Sequence, residues 1–172
     1  ACNMAGIDEN KLVPVCPGGA ADIDATFRAG SGQYVQQQGP YPQQLEADNV
    51  GHIVAHVGPL IGPCGFSSLA AKPQWLKTDM AKAFTRAYRN ARKYMNEESA
   101  AEIARAAQPY FPKVDSVALE KCIDTYQRLG CWTPHIEITE KAYQATLDIY
   151  EYNGLLGERY AYDRVCCLPP RV

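Results

Sequence analysis

Cysteine and histidine are the residue types in this sequence with the widest chemistry, because both bind metals and serve in catalysis. The seven cysteines stand at positions 2, 16, 64, 122, 131, 166 and 167, and none of their spacings is the CxxC pair of a zinc site. An odd number of cysteines cannot pair fully within one chain. We therefore expect mostly reduced thiols that pack as small hydrophobic groups, with one or two disulfides or a zinc site as alternatives.

His52 and His56 have HxxxH spacing, which on a helix would place two imidazoles on one face for zinc. The residues around them are β-branched and flanked by glycines, so we interpret this segment as a strand. Two rings four residues apart on a strand stand about 13 Å apart, too far to share one metal ion. We therefore expect no metal at these histidines.

Residues 58–65 (GPLIGPCG) are glycine-rich but lack the lysine and the Ser/Thr that complete a phosphate-binding loop. Cys64 in this segment would act as a nucleophile only beside a base, and the sequence identifies none. No GxGxxG motif and no nucleophile elbow occurs. We therefore expect no cofactor and assign no catalytic residue.

Two other segments have residue types suited to holding a small ligand. Gly18 and Gly19 precede a predicted helix, where backbone N–H groups can receive an anion or a polar atom and glycine permits close approach. Residues 36–41 (QQQGPY) follow a predicted strand, at the sheet edge where ligands bind in open α/β folds. The alternative for Gly18 and Gly19 is a plain tight turn. The alternative for residues 36–41 is a solvated polar strand end.

The elements that would position these segments differ between the two parts of the chain. Up to residue 70, strand-like runs at 11–16, 33–38 and 50–61 alternate with short helices at 22–29 and 42–47. This order is typical of βαβ units and a mainly parallel sheet. We therefore predict an α/β fold, with one domain at residues 1–70 and a helical segment at 71–172.

Four helices are predicted in the second part from periodic apolar residues and capping residues. In the first of them, Met80, Phe84 and their neighbours at three- and four-residue steps form an apolar face. A basic face of Lys82, Arg86, Arg89 and Lys93 lies opposite, and we expect it to be solvated. The predicted bounds are 78 or 79 to 95, 97–107, 115 or 116 to 129, and 139–153.

Length and charge exclude several classes of protein. The 172 residues suffice for one hydrophobic core, and 17 Lys+Arg against 19 Asp+Glu give a net charge of −2. This balance excludes a broad nucleic-acid surface. No apolar run approaches the ~18 residues of a membrane span, and no signal-peptide pattern is visible.

Residues 12–58, 66–94 and 100–134 resemble the second half of periplasmic substrate-binding proteins of the SsuA/TauA/THI5-like (NMT1/THI5-like) group. The most specific part runs from Tyr126 to Trp132, followed by Pro134 and the helix with Tyr143. The resemblance covers roughly residues 5–163. It implies a type-II periplasmic-binding-protein fold, whose two α/β lobes close on a ligand for an ABC permease. Residues 1–70 would then be the second lobe and 71–172 would complete the first, whose N-terminal part is missing.

The resemblance also implies a small organic ligand and the residues that hold it. No Lys or Arg occurs between Gly30 and Ala71, which favours a neutral or zwitterionic ligand. A hinge is expected at Phe66 and Ser67. By position along the motif, the ligand-binding residues are Gly18, Gly19, Gln38, Gly39, Pro40, Tyr41 and Gln43.

Three functions stay open at this point. The leading interpretation is non-enzymatic solute binding for an ABC importer, outside the cytoplasm, although seven cysteines and no visible signal peptide also fit the cytoplasm. The second is an enzyme of the same fold family, of the thiamine-pyrimidine synthesis or desulfinase type. The third is an accessory subunit that completes a cleft with a partner chain or a second copy, because a missing lobe leaves exposed surface that favours association.

Overall fold

The computed structural model describes residues 2–172, and helices joined by irregular segments make up this part of the chain. No helix within it is both long and apolar enough to span a bilayer. Short 3₁₀ turns lie at Asn3–Ala5, Glu9–Lys11, Trp75–Lys77 and Gln108–Tyr110. The α-helices are α1 (Ala20–Arg28), α2 (Tyr41–Ala47), α3 (Gly58–Ile61), α4 (Asp79–Glu97), α5 (Ala100–Ala107), α6 (Ser116–Arg128), α7 (Glu140–Tyr152) and α8 (Tyr162–Val165).

The predicted parallel sheet is wrong, since residues 2–172 contain no β-strand. Residues 12–16 and 33–38 are irregular, and the end of the third predicted strand forms α3. The β-branched side chains of Val13 and Val54 are 90% and 78% exposed. A strand is stable only where neighbouring strands complete its hydrogen bonds and one face is buried, and these runs have neither in the described structure. The type-II periplasmic-binding-protein lobe is therefore contradicted.

The six predicted helices are confirmed, and side-chain caps mark where α5, α6 and α7 begin. The Asp115 carboxylate accepts from the backbone N–H groups of the first turn of α6, and the Thr139 hydroxyl does the same for α7. Ser99 caps α5 in the same way. Gly130, at φ +65°, follows the end of α6 in the left-handed conformation that a helix end favours.

The helices group into two compact units. The first comprises Ala1–Leu60 and Glu98–Cys131, and its core forms where α2 and α5 pack on α6. The predicted domains at 1–70 and 71–172 stay a prediction. The buried core residues of this unit are Leu45, Ile103, Ala104, Ala118, Leu119, Cys122 and Ile123.

The second unit comprises Ile61–Glu97 and Trp132–Val172. In α7, Tyr143 and Leu147 are buried, whereas Tyr150 is 48% exposed. The Tyr143 hydroxyl donates to the carbonyl oxygen of Tyr160 over 2.9 Å, so α7 fixes the irregular segment that follows it.

Candidate functional site

Four of the predicted ligand residues lie at the start of α2, where the backbone of Gly39 meets α6. The Gly39 N–H donates to the hydroxyl oxygen of Tyr126 over 2.9 Å, and the Gly39–Pro40 peptide bond is cis. A Cβ on residue 39 would lie 2.3 Å from the Cys122 sulfur and 3.0 Å from the Tyr126 hydroxyl oxygen. A side chain at residue 39 would therefore force the Cys122 side chain or the backbone to shift.

Gln43, one helical turn further on, is 4% exposed. Its side-chain oxygen is buried and accepts no hydrogen bond from the described residues. This oxygen would lie 3.3 Å from a Cβ on Gly39, so it faces the Gly39 backbone beside Cys122 and Tyr126. An unpaired buried acceptor costs about 1–3 kcal/mol, and a hydrogen-bond donor placed there would recover that cost.

The predicted glycine turn before α1 is already occupied by a carboxylate. The Gly19 N–H donates to Asp22 over 2.9 Å, and a Cβ on Gly18, which has φ +138°, would lie 2.7 Å from the same oxygen. The Gln37 side-chain amide donates to the Ala20 carbonyl oxygen over 2.8 Å. This bond ties the glycine turn to the segment that leads into Gly39.

The remaining predicted residues differ in accessibility. Gln38 is exposed at the edge of the α2 start, and Pro40 and Tyr41 are half-buried beside it. The hinge candidates Phe66 and Ser67 lie exposed in an irregular segment of the second unit. The ligand-binding and hinge roles stay predictions.

Arg28 and Lys121, two cations near α2, are each paired with carboxylates. The Arg28 guanidinium lies 2.8 Å from Asp24 and 2.8 Å from Asp48, and Lys121 lies 4.0 Å from Glu46. The hydrogen bond to Asp24 is the main cause that raises the pKa of Arg28. With the Asp22 carboxylate at the glycine turn, these pairs leave little positive potential for an anionic ligand.

The Cys122 thiol at the α2–α6 contact is unreactive at neutral pH. Cys122 is 5% exposed, and its burial, together with the charge of Cys131, raises its pKa to about 11. Burial also raises the pKa of the Tyr126 hydroxyl. At neutral pH Cys122 is therefore a protonated thiol and a poor nucleophile.

The other cysteines and the histidines form no metal site in the part of the chain that the structure describes. His52 and His56 are both exposed, and the strand predicted for them is absent. No group of three or more His, Cys, Asp or Glu side chains within residues 2–172 is placed to hold a metal ion. Cys64 is half-buried and unpaired with another cysteine.

A separate groove of about 660 Å³ lies open to solvent between α5 and α6. Apolar atoms dominate its lining, and Gln108 beside it donates to the carbonyl oxygens of Phe111 and Val114. The groove contains none of the predicted ligand residues, so we place the candidate site at the start of α2.

Sequence reasoning missed the two α6 residues that complete this site, Cys122 and Tyr126. Tyr126 lies 87 residues from Gly39 in the chain. The only local signal is their four-residue spacing, which puts both side chains on one helix face without naming what that face contacts.

Comparison with known proteins finds a similarity to "Putative binding protein YtlA" of Bacillus subtilis (strain 168). The two are 29% identical over 147 residues, which cover 84% of this chain and 44% of that protein. The chain thus spans less than half the length of the curated relative it matches. No protein-family model matches the chain, and no solved structure matches it significantly. Membership of the SsuA/TauA/THI5-like group stays a prediction.

We predict that Gly39→Ala lowers the free energy of unfolding by about 1–3 kcal/mol, because the new methyl group overlaps the Cys122 sulfur. Cys122→Ala in the same chain should recover part of this loss, giving a coupling energy of about 1 kcal/mol in a double-mutant cycle measured by urea unfolding. Gly58→Ala is the matched control, since a Cβ there meets nothing within 4 Å. If the effects of Gly39→Ala and Cys122→Ala on the free energy of unfolding simply added, residue 39 would not contact Cys122.

A second prediction concerns alkaline pH. The folded state holds the Cys122 proton up to about pH 11, whereas an unfolded thiol releases it near pH 9.0. The free energy of unfolding should therefore fall between these values, by roughly 1–3 kcal/mol, with no contribution below pH 9.0. The Cys122→Ala variant should lack this part of the fall in urea titrations. If the free energy of unfolding changed with pH in the same way for the wild-type and Cys122→Ala proteins, Cys122 would not be buried as described.

Proposed function

We propose that this chain binds a small solute at the start of α2. The observation that carries the proposal is the buried side-chain oxygen of Gln43 beside Gly39, which has no hydrogen-bond partner among residues 2–172 as described. Buried polar atoms without partners are rare in folded proteins, and a ligand donor would satisfy this one. The similarity to a protein named as a binding protein supports a binding function in general.

The solute would contact the accessible residues around this oxygen. Gln38 and Tyr41 would supply an amide and a ring face. An N–H or O–H group of the solute would donate to Gln43. The Cys122 sulfur and the Tyr126 hydroxyl crowd the side of this oxygen that faces Gly39, so the donor group would have to displace them or reach the oxygen from another side.

The charges around α2 favour a neutral or zwitterionic solute. Asp22 faces the glycine turn, and Arg28 and Lys121 are held by carboxylates. An anion would meet like charge without a cation to offset it, whereas the ammonium group of a zwitterion would be attracted.

We also propose that the chain takes part in solute transport. The solute would pass to the permease of an ABC importer, which requires a location outside the cytoplasm. The sequence resemblance to substrate-binding proteins is its support.

Binding is tested with a panel of small solutes, comparing neutral amides and zwitterionic amino acids with carboxylates and sulfonates of equal size. A bound solute should raise the melting temperature by mass action, and isothermal titration calorimetry should then give its Kd. Gln43→Leu should weaken that binding at least tenfold, because the leucine side chain accepts no hydrogen bond. The free energy of unfolding of the Gln43→Leu variant should stay within about 1 kcal/mol of the wild-type value, since an apolar group replaces an unpaired polar atom.

Gln36→Leu is the control, because Gln36 is exposed in the preceding irregular segment. It should leave the Kd unchanged. Equal affinity of the Gln43→Leu and wild-type proteins for a bound solute would refute the site. A panel in which only the anions bind would refute the proposed ligand class.

A further inference from the structure

Two glutamine side chains hold one peptide group at the start of α6. The side-chain oxygen of Gln44, on α2, accepts from the Asp115 backbone N–H over 2.8 Å. The side-chain amide of Gln108, at the end of α5, donates to the Val114 carbonyl oxygen over 2.9 Å. That N–H and that carbonyl belong to the same Val114–Asp115 peptide group. Asp115 is also the N-cap residue of α6, so this peptide group ties α2 and α5 to the first turn of α6.

The Gln44 amide also bonds toward α1. Its nitrogen donates to the Asp48 carboxylate over 2.9 Å, and Asp48 lies 2.8 Å from the Arg28 guanidinium. Arg28 lies 2.8 Å from Asp24 within α1. The hydrogen bond from Gln44 is the first cause, and the bond from Arg28 the second, that lowers the pKa of Asp48. Both ends of the half-buried Gln44 amide are therefore engaged, the oxygen with α6 and the nitrogen with a carboxylate tied to α1.

The short helix α2 depends on such contacts for its orientation. It has seven residues, and its N-cap residue, Pro40, has no side-chain oxygen to cap the first turn. A helix of this length is marginally stable alone, since isolated helices need about 12–15 residues. The hydrogen bond from Gly39 to Tyr126 holds the start of α2, and the two bonds of Gln44 hold its side.

The direction in which Gln43 faces follows from the rotation of α2 about its axis. Successive helical residues lie about 100° apart around that axis. Bonds at Gln44 therefore fix the rotation that turns Gln43 inward, where it is 4% exposed beside Gly39. We propose that Gln44 is the positioning residue of the solute site, because its two amide hydrogen bonds set the position of the Gln43 oxygen. This inference rests on the proposed solute binding and adds a residue that acts on the solute through Gln43.

Gln44→Glu tests this role, because protonation restores what the substitution removes. At neutral pH the introduced carboxylate still accepts from the Asp115 N–H, but it has no proton for Asp48 and repels that carboxylate. A protonated carboxyl has a donor and an acceptor, which are the two functions of the glutamine amide here. The charged groups that face this position or its partners are Asp48, Arg28 and Asp24 toward α1, and Asp115, Glu46 and Lys121 toward α6.

The introduced carboxyl should take up its proton in mildly acidic solution. Its pKa should lie above the usual value of about 4.3, because the Asp48 carboxylate lies within hydrogen-bond distance. The bond from Arg28 still lowers the pKa of Asp48, which stays charged and able to accept. A change from pH 7 to about pH 4.5 should therefore restore both hydrogen bonds of the variant.

The readouts are the Gln43 side-chain amide signals in ¹⁵N NMR spectra and the Kd for acetamide and for glycine. The Gln43 signals are identified by their absence from Gln43→Leu, and neither solute changes protonation between the two pH values. At pH 7 Gln44→Glu should shift these signals and weaken binding about fivefold, which is the loss of roughly one hydrogen bond. At about pH 4.5 both should return toward the wild-type values. Gln44→Met can form neither bond and should show the change at both pH values.

Gln127→Met is the matched control. Gln127, on α6, donates to the Glu98 carbonyl oxygen over 2.9 Å, so this variant loses a hydrogen bond from side chain to backbone outside α2. It should lower the free energy of unfolding without moving the Gln43 signals or the Kd. A loss of stability is thereby separated from a loss of positioning.

Unchanged Gln43 signals in Gln44→Glu at pH 7 would overturn the positioning role. A shift that does not reverse on acidification, or that Gln127→Met reproduces, would overturn it as well. If neither acetamide nor glycine bound the wild-type protein, the functional part of the inference would fail with the solute site. The Gln43 signals would still decide whether Gln44 positions Gln43.

Discussion

The contact between the Gly39 backbone and the α6 face determines how the first unit is arranged. The Gly39 N–H reaches the Tyr126 hydroxyl only because residue 39 has no side chain to meet the Cys122 sulfur. This contact brings α2 onto α6, and Gln44 strengthens it by accepting from the Asp115 backbone N–H over 2.8 Å. Gln43 is buried as a consequence, and its side-chain oxygen accepts no hydrogen bond from the described residues.

A second glycine plays the same part in the other unit. The Gly65 N–H donates to the Thr146 hydroxyl oxygen over 2.8 Å and to the Ala142 carbonyl oxygen over 3.2 Å, and a Cβ there would lie 3.3 Å from Ile138. These hydrogen bonds hold the irregular segment around Gly65 against α7, although that segment forms neither a strand nor a helix. In both units, close approach of loop backbone to a helix replaces the sheet that was expected.

The sequence predicted the helices well because their signals are local. Asp115 and Thr139 cap helices through N–H groups two or three residues away, and Gly130 ends α6 through its own φ. The strands were wrong because β-branched composition favours a strand only if another strand lies alongside. Runs such as residues 33–38 have no such neighbour in the described structure.

Burial was the harder part to predict. Periodicity correctly separated the apolar and basic faces of α4, but it does not show whether an apolar face is covered, and Met80 is 68% exposed. At the candidate site, Gly39 and Gln43 were predicted as ligand residues from their position in the motif. Their partners Cys122 and Tyr126 were missed because a contact across 87 residues has no local signature.

The most direct test of this arrangement is hydrogen exchange at the Gly39 amide, followed by NMR on the ¹⁵N-labelled chain. If the Tyr126 hydroxyl accepts from this N–H at the α2–α6 contact, the amide should exchange at least about a thousandfold more slowly than an unstructured one. Tyr126→Phe removes the acceptor and should abolish the protection. Fast exchange in the wild-type protein would contradict the contact and, with it, the placement of Gln43.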